Sequence, residues 1–213
     1  MRPPTLPARK KTILKTAVLT IAWIGALAFG LRGLANYANT PGQVGDVPRM
    51  WPAKAKIQRA FDRPTLVMLA HPRCPCSRAS VDELAQVMTQ AQGKVRAYVL
   101  FMQPDGSPEW EDTGLRRSAA ATPGVTVLSD NEGAEAQLFG AETSGHTLLF
   151  DAQGKLIFNG GITASRGHAG DNTGQSAVVS LINGQNVSHS ATLVFGCALK
   201  GHNQKGSQVP CPR

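Results

Sequence analysis

Acidic residues are missing from the first 40 positions of this 213-residue chain. That segment carries six Lys or Arg side chains, whereas residues 41–213 carry sixteen basic against fourteen acidic ones. The net charge of +8 therefore belongs to the N-terminus and not to a broad basic face. Aromatic residues are also scarce, at 6%, and do not alternate with basic ones. The sequence thus excludes the common nucleic-acid-binding modules, and we expect no nucleic-acid partner.

Several catalytic patterns are absent as well. The chain has no internal repeat, no low-complexity tract, and no spacing that singles out a Ser-His-Asp triad or a pair of carboxylates. The glycine-rich stretch 160–174 lacks the Lys-Ser pair of a phosphate-binding loop. We interpret it as a polar loop from which Arg166, His168 and Asp171 either face an active edge or lie in solvent.

A run without charge, TAVLTIAWIGALAFGL, occupies residues 16–31 near the N-terminus. Lys15 and Arg32 flank it, and long basic side chains extend a membrane span by reaching toward its interfaces. We predict a basic cytoplasmic N-terminus over 1–15 and a transmembrane anchor over 16–35, with a cleavable signal sequence as the alternative. The basic flank keeps the N-terminus in the cytoplasm in both cases. We therefore expect a single-pass protein of the bacterial inner membrane with a periplasmic domain.

The remainder of the chain divides by composition into three parts. A Gly/Pro/Asn-rich stretch, 36–52, reads as a linker that separates the anchor from a folded domain over 53–190. A C-terminal tail, 191–213, contains two of the four cysteines. Disulfides persist in exported domains because the compartment is oxidising, so each of these cysteines is a candidate for pairing.

Hydrophobic periodicity gives the order of elements in the folded domain. Ser80 and Glu83 predict a capping box at the start of an amphipathic helix. Two apolar strands around Asp-Ala-Gln-Gly predict a β-hairpin, with Gly154 in its loop. Alternating strands and helices that end in a hairpin predict an α/β sandwich with a mixed sheet. The predicted strands cover 64–72, 94–104, 125–128 and the hairpin 146–162, and the predicted helices cover 80–93, 108–121, 130–140 and 174–184.

The segment HPRCPCSRAS, residues 71–80, places two cysteines around one proline between the first strand and its helix. A helix N-terminus stabilises a nearby thiolate, and the positive charges of Arg73 and Arg78 also lower a thiol pKa. A Cys-x-Cys disulfide closes a smaller ring than Cys-x-x-Cys, and a strained disulfide is more oxidising. We therefore favour redox or metal chemistry for Cys74 and Cys76 over a structural pair.

This order of elements, with a cysteine motif after the first core strand, resembles the thioredoxin fold over roughly residues 55–185. The matching pieces are PTLVMLAHPRCPCS, TSGHTLLFDAQGKLIFNGGIT and the last helix. Within that superfamily the chain is most similar to bacterial membrane-anchored thioredoxin-like proteins of the RedB type, with a likeness to Sco copper-delivery proteins. The resemblance implies a thioredoxin-like mixed sheet flanked by helices, preceded by the transmembrane helix.

The chain departs from the thioredoxin pattern at two places. Cys-Pro-Cys-Ser replaces Cys-x-x-Cys, so either Cys74 is the nucleophile with Ser77 in the resolving place, or Cys76 is the resolving cysteine and Arg73 stands in the nucleophile's place. His146 takes the position of the cis-proline that helps to dock substrate in thioredoxins. Sco proteins place a copper-ligating histidine there, although their cysteines are spaced as Cys-x-x-x-Cys.

Copper is the metal that this resemblance implies. Soft thiolates select Cu(I), and Cys74, Cys76 and His146 together would give a three-coordinate site. His71 is a further candidate ligand. A closed structural zinc site would need four ligands, and Cys197 with a histidine would have to complete it.

Cys197 and Cys211 admit two interpretations. They are predicted to pair with each other and fix the tail, since thirteen residues separate them. Alternatively, Cys197 folds back and resolves a sulfenic acid or disulfide on Cys74 or Cys76.

Three functions follow from these residues. The first is a membrane-tethered periplasmic thiol-disulfide oxidoreductase that uses Cys-Pro-Cys, requires no cofactor and acts on a protein thiol or disulfide partner. The alternative is a Cu(I)-binding, Sco-like assembly factor, a binding protein rather than an enzyme. A peroxidase-like use of Cys74 ranks last, because Ser77 and Ser80 offer hydroxyls without the characteristic peroxidase pattern.

Overall fold

A computed structural model describes residues 8–106, 110 and 112–199, with side chains from residue 12 onward. The chain separates into two compact units, Met1–Asn39 and Thr40–Arg213. The first contains the N-terminal helix, and the second contains the sheet, the remaining helices and the cysteines of the functional site.

Helix α1, Ala8–Asn39, is the element of the first unit. Its segment Thr12–Asn39 has 28 residues and contains an apolar 18-residue window with a mean hydropathy of 1.8, in which no residue is buried. At 1.5 Å per residue such a helix is about 42 Å long, more than the ~30 Å hydrocarbon core of a bilayer. Apolar side chains of this helix are exposed, and Phe29 is 82% exposed. By length and composition this helix could cross a membrane, and it contains the predicted anchor, 16–35.

The second unit is built on one five-stranded mixed sheet in the order β3-β2-β1-β4-β5. β1 runs parallel to β2 and antiparallel to β4, β2 is parallel to β3, and β4 pairs antiparallel with β5. This arrangement confirms the predicted thioredoxin-like sheet. The hairpin loop is also as predicted, with Gly154 at φ +84°. The strands are β1 Thr65–Ala70, β2 Arg96–Gln103, β3 Val125–Asn131, β4 His146–Phe150 and β5 Leu156–Gly160.

Among the described residues of the second unit, four helices flank the sheet: α2 Ser77–Ala91, α3 Gly114–Ala120, α4 Ala134–Leu138 and α5 Thr173–Ile182. β1 is buried at every position because apolar residues cover both faces of the sheet. One core cluster lies between the sheet and α2, α3 and α5. The other joins the sheet to α4 and to the segment before β1, where Trp51, Phe139 and Phe150 make edge-to-face contacts at 5.2–5.9 Å. The few aromatic residues are therefore concentrated in the second core.

The predicted capping box at Ser80 and Glu83 is wrong. Helix α2 begins three residues earlier, at Ser77, and Cys76 is its N-cap without a side-chain capping bond. The Glu83 carboxylate is buried and instead accepts a hydrogen bond of 2.5 Å from the backbone N–H of Gly170. A capping box depends on neighbouring residues alone, whereas the tertiary structure gives the Glu83 carboxylate a backbone donor from a distant loop. Because α2 begins at Ser77, Cys74 and Cys76 lie directly at its N-terminus.

The helix predicted over 108–121 is shorter than expected. Helix α3 begins at Gly114, where the Thr113 side chain accepts a hydrogen bond from the backbone N–H of Arg116. Pro108, the predicted start, lies outside the described residues. The helix predicted over 130–140 is confined to Ala134–Leu138, and Asp130 belongs to β3. Its carboxylate still receives the N–H groups of the helix start, at 2.8 and 2.9 Å.

Candidate functional site

The Cys-Pro-Cys segment forms the turn between β1 and α2. The backbone N–H of Cys74 donates to the carbonyl of His71 at 3.1 Å, and that of Ser77 donates to the carbonyl of Cys74 at 3.1 Å. These bonds bend the chain so that both cysteines stand at the N-terminus of a 15-residue helix. Cys74 and Cys76 are free thiols, 2% and 7% exposed. A helix start favours negative charge, so this position promotes thiolate formation.

Hydrogen-bond donors surround the sulfur of Cys74. The Cys76 thiol is the strongest influence, and the Ser77 hydroxyl and the backbone N–H groups of Cys197 and Ser77 add to it. Burial opposes them, but the donors prevail and lower the pKa of Cys74 from 9.0 to about 5. The balance of these effects therefore favours the thiolate form of Cys74, with negative charge on its sulfur.

Cys76 has the opposite character. Its hydrogen bond to Cys74, its burial and the negative charge of Cys74 raise its pKa far above the ordinary value for a thiol. Arg166 acts against this shift through its charge and a side-chain hydrogen bond, with a smaller effect. The pair thus divides into one thiolate and one protonated thiol that donates to it. This division is the one that a nucleophile and a resolving cysteine need.

Two serines fix the turn between β1 and α2, residues 71–77, which we call the corner. Ser77 is buried, and its hydroxyl shares a hydrogen bond of 2.5 Å with the hydroxyl of Ser144. Because Ser77 donates to Cys74, its oxygen accepts from Ser144, which itself accepts from the backbone N–H of His71 at 2.7 Å. Ser144 lies just before β4 and was not predicted. It connects the β1–α2 corner to the loop that precedes the hairpin.

Basic and aromatic side chains line the solvent side of Cys74. The Arg73 guanidinium lies over the ring of Trp110 at 5.3 Å, and the His71 ring lies 4.8 Å from the same indole. Burial lowers the pKa of His71, with a partial counter-effect from the charge of Cys74. A cavity of about 210 Å³ opens here and is lined by Arg73, Cys74, Arg78 and residues at the start of α3. It offers a partner access to Cys74 next to positive charge.

Cys197 joins the two cysteines of the corner. Its Sγ lies 2.9 Å from the Sγ of Cys74, and the three sulfurs of Cys74, Cys76 and Cys197 all lie within 4.8 Å of one another. Cys197 is buried and takes part in a disulfide. The predicted partner in that bridge, Cys211, lies outside the described residues. The structure therefore brings Cys197 beside Cys74 and Cys76 while its sulfur is engaged in a disulfide.

His146 is placed differently from the cysteines. It is fully buried at the start of β4, and its Nε2 shares a hydrogen bond of 2.6 Å with Oδ1 of Asn159. Burial lowers the pKa of His146, and the bond to Asn159 opposes this more weakly. Among the described residues, the group of clustered ligand atoms consists of sulfurs and does not include His146. Its Nδ1 is buried and has no hydrogen-bond partner within the described part of the chain.

The last two predicted site residues, Arg166 and His168, lie in different surroundings. The Arg166 guanidinium donates to the carbonyl of Gly196 and, at 3.1 Å from Nε, to that of Thr40, and it acts on Cys76. His168 is exposed, and its Nδ1 lies 3.3 Å from the backbone oxygen of Arg166. Arg166 therefore belongs to the cysteine site, whereas the contacts of His168 lie in its own loop.

Comparisons with known proteins place this geometry on a familiar fold. No family model matches the chain, and no curated protein matches it. A crystal structure of a hypothetical protein from Sinorhizobium meliloti superposes with a TM-score of 0.55 at 18% identity, covering 76% of this chain and 99% of that one. A thioredoxin-like protein in its oxidized form matches with a TM-score of 0.46 at 15% identity, covering 70% and 97%.

A structure of Bradyrhizobium japonicum ScoI with copper bound matches with a TM-score of 0.37 at 16% identity, covering 57% of this chain and 84% of that one. All of these identities are low, so the comparisons speak to the fold and not to the activity. The sheet order agrees with the thioredoxin-like mixed sheet expected from the sequence, and the match to the Sinorhizobium structure shows similarity of fold alone.

Proposed function

We propose that this chain is a membrane-tethered thiol-disulfide oxidoreductase of the bacterial periplasm, with Cys74 as its nucleophile and Cys76 as its resolving cysteine. The observation that carries the proposal is the free Cys74–Cys76 pair at the start of α2, beside a cavity that reaches Cys74. The partner is a protein that carries a thiol or disulfide, and the chemistry needs no cofactor. Helix α1 supplies the anchor, with the N-terminus in the cytoplasm.

The reaction begins with attack of the Cys74 thiolate on a sulfur of the partner's disulfide. The S–S bond of the partner breaks, one partner sulfur leaves as a thiolate, and a mixed disulfide to Cys74 forms. The negative charge leaves Cys74 at this step, which removes two of the causes that raise the Cys76 pKa. Cys76 then loses its proton and attacks Cys74, which releases the partner's second thiolate. The partner is reduced and Cys74–Cys76 is oxidised.

Two neighbours assist these steps. Ser77 donates to the sulfur of Cys74 and stabilises it as the nucleophile and, later, as the leaving group. The positive charge of Arg166 favours the thiolate form of Cys76 at the moment of resolution. Arg73 and Arg78 at the cavity favour an acidic or carbonyl-rich partner surface around the disulfide.

The test is reduction of insulin by the full chain in detergent, with dithiothreitol as the electron source. Cys74→Ser should reduce the rate at least about 1,000-fold, because serine is not a nucleophile at neutral pH. Cys76→Ser is the matched control: it should also lose turnover, but once it is fully reduced and freed of dithiothreitol it should accumulate a mixed disulfide between Cys74 and the substrate. The proposal is wrong if Cys74→Ser keeps the wild-type rate.

A second candidate function is Cu(I) binding, and the three-sulfur cluster is the observation that favours it. Cys74 and Cys76 would hold the ion, and reduction of the Cys197 disulfide would release a third thiolate, a donor set suited to Cu(I). His146 remains the ligand implied by the Sco resemblance. Titration of the reduced chain with Cu(I) should then give about one ion per chain. Loss of binding in His146→Ala would support the Sco-like site, whereas retention would leave sulfur ligands alone.

A further inference from the structure

A short part of the C-terminal region, residues 194–199, lies extended along the loop that precedes β4; we call it the tail segment. The backbone N–H of Ser144 donates to the carbonyl of Cys197 at 2.8 Å, and the N–H of Leu199 donates to the carbonyl of Glu142 at 2.8 Å. The two segments form an antiparallel β-bridge between these bonds. Backbone pairing of this kind is how an extended peptide docks on an exposed edge.

The sequence of the tail segment fits this edge closely. A Cβ atom at Gly196 would lie 1.9 Å from the carbonyl oxygen of Ser144, so glycine is required for the approach. The Gly196 carbonyl accepts a hydrogen bond from the Arg166 guanidinium. Val194 and Leu199, near the two ends of the segment, are buried. Bonds and burial along its whole length therefore hold the tail segment at the corner.

The result is an unusual juxtaposition of a nucleophile and a disulfide. The Cys197 sulfur is part of a disulfide and lies 2.9 Å from the sulfur of Cys74, which is free. The backbone N–H of Cys197 also donates to Cys74. A thiolate that attacks a disulfide must reach one of its sulfurs, and here that sulfur is delivered by the same chain.

We propose that Cys197 is a third redox cysteine and that the tail segment acts as a built-in substrate that exchanges its disulfide with the Cys74–Cys76 pair. The proposal rests on the proposed thiol-disulfide activity of that pair. It takes the predicted Cys211 as the partner of Cys197, so the tail disulfide is an electron acceptor and not a permanent staple. The partner chemistry that this site accepts is then an extended peptide with a glycine before its cysteine.

The exchange balances without an external oxidant. The Cys74 thiolate attacks Cys197, the Cys197–Cys211 bond breaks, and Cys211 leaves as a thiolate that takes up a proton. Cys76 releases a proton and attacks Cys74, which forms Cys74–Cys76 and frees the Cys197 thiolate. Two electrons pass from the corner to the tail and one proton passes from Cys76 to Cys211. The corner thereby becomes the oxidised pair while the tail becomes the reduced one.

The test is disulfide mapping in full-length Cys76→Ser protein in detergent, because this variant stops the exchange after its first step. After acid quenching, alkylation of free thiols and proteolysis, mass spectrometry should find Cys74 linked to Cys197, with Cys211 alkylated. If Cys74 is alkylated instead and Cys197 keeps its original linkage, the proposal is overturned. Insulin reduction by wild type and Cys74→Ser tests the proposed function separately, so failure of one can be told from failure of the other.

Two glycine variants provide matched controls in the Cys76→Ser background. Gly196→Ala should lower the yield of the Cys74–Cys197 linkage at least about tenfold, because loss of docking lowers the effective concentration of Cys197. Gly33→Ala, where a Cβ meets nothing within 4 Å, should leave the yield unchanged. An unchanged yield in Gly196→Ala would overturn the role of the tail segment.

A measurement in the otherwise unaltered chain covers the case in which Gly196→Ala does not fold. Wild-type protein with Cys74 and Cys76 free and the tail disulfide intact, and Cys197→Ser protein with all its thiols free, are incubated without oxygen. Cys74–Cys76 should form in the wild type and should not form in Cys197→Ser. Equal formation in the two proteins would contradict the exchange.

Discussion

The corner after β1 and the first residue of β4 lie on paired strands, with Leu69 opposite His146, but they are built for different chemistry. At the corner, donors from Cys76 and Ser77 and from Cys197 in the tail segment converge on the sulfur of Cys74. At β4, the His146 imidazole is buried with one bond, to Asn159, and one unpartnered nitrogen. The first environment stabilises a charge, whereas the second suppresses one. Burial alone therefore does not decide reactivity; the number of donors around the buried atom does.

The largest expected difference between the two regions is the pH dependence of thiol reactivity. Only the thiolate reacts, so alkylation of Cys74 by iodoacetamide in the reduced chain should be constant above about pH 6 and fall about tenfold per unit below about pH 5. An unshifted cysteine would lose reactivity below pH 9.0 instead. Peptide mass spectrometry measures the rate. Cys76→Ser should move the midpoint upward, and a wild-type midpoint near 9 would contradict the proposed thiolate.

The second prediction concerns packing at β4. His146→Ala removes a fully buried ring and leaves Oδ1 of Asn159 without its partner, so the free energy of unfolding should fall by about 2–4 kcal/mol. Denaturation by urea measures it. The exposed His168 offers a matched control, because His168→Ala should change stability by no more than about 0.5 kcal/mol. A shift of the Cys74 alkylation midpoint in His146→Ala would show that the imidazole belongs to the thiol site.

The third prediction, a smaller effect, concerns the free energy of unfolding at low pH. Burial lowers the pKa of His146 in the folded chain below the unfolded value of 6.5, so the unfolded state binds more protons as the pH falls. The stability of the wild type should therefore decrease below pH 6.5, and part of that decrease should be missing in His146→Ala. The stability difference between the two proteins narrows toward low pH. A difference that is constant or widens below pH 6.5 would contradict the neutral imidazole.

The smallest expected effect is at Arg166. Arg166→Gln removes the charge that favours the Cys76 thiolate and a donor to Gly196 while keeping a polar side chain. Resolution of a mixed disulfide on Cys74 should slow by about two- to tenfold, with the alkylation midpoint of Cys74 nearly unchanged. Rapid quenching of a glutathione mixed disulfide measures this step. Rescue by Arg166→Lys would support a role for charge, and an unaltered resolution rate in Arg166→Gln would exclude one.

The fold was predictable from local pattern because its strands and helices follow simple periodicities. The strands around Gly154 and the apolar face of α2 carry their signal within a few residues each. The start of α2 was misplaced, since the sequence alone gave no reason for the Glu83 carboxylate to bond a loop 87 residues away. The proposed assignment of Cys74 as nucleophile also depends on the Cys197 donor, which only the tertiary structure brings to it.

The site was predictable at its two central cysteines and incomplete around them. Ser144 carries no motif, and its role depends on strand β4 lying beside β1. Cys197 lies 123 residues after Cys74, and its return to the corner depends on the path of the tail. The glycine directly before it was the available signal, because a glycine in an apolar stretch marks a close backbone approach.

The contact between Gly196 and Ser144 has a consequence for how this sequence can change over time. Any larger side chain at position 196 would collide with a backbone carbonyl, so no compensating mutation at Ser144 can make room for it. Substitution of Gly196 is thus tolerated only when the tail segment no longer docks. In that case Cys197 is no longer held beside Cys74 either. Glycine and cysteine at these adjacent positions should therefore be inherited, and lost, as a single unit.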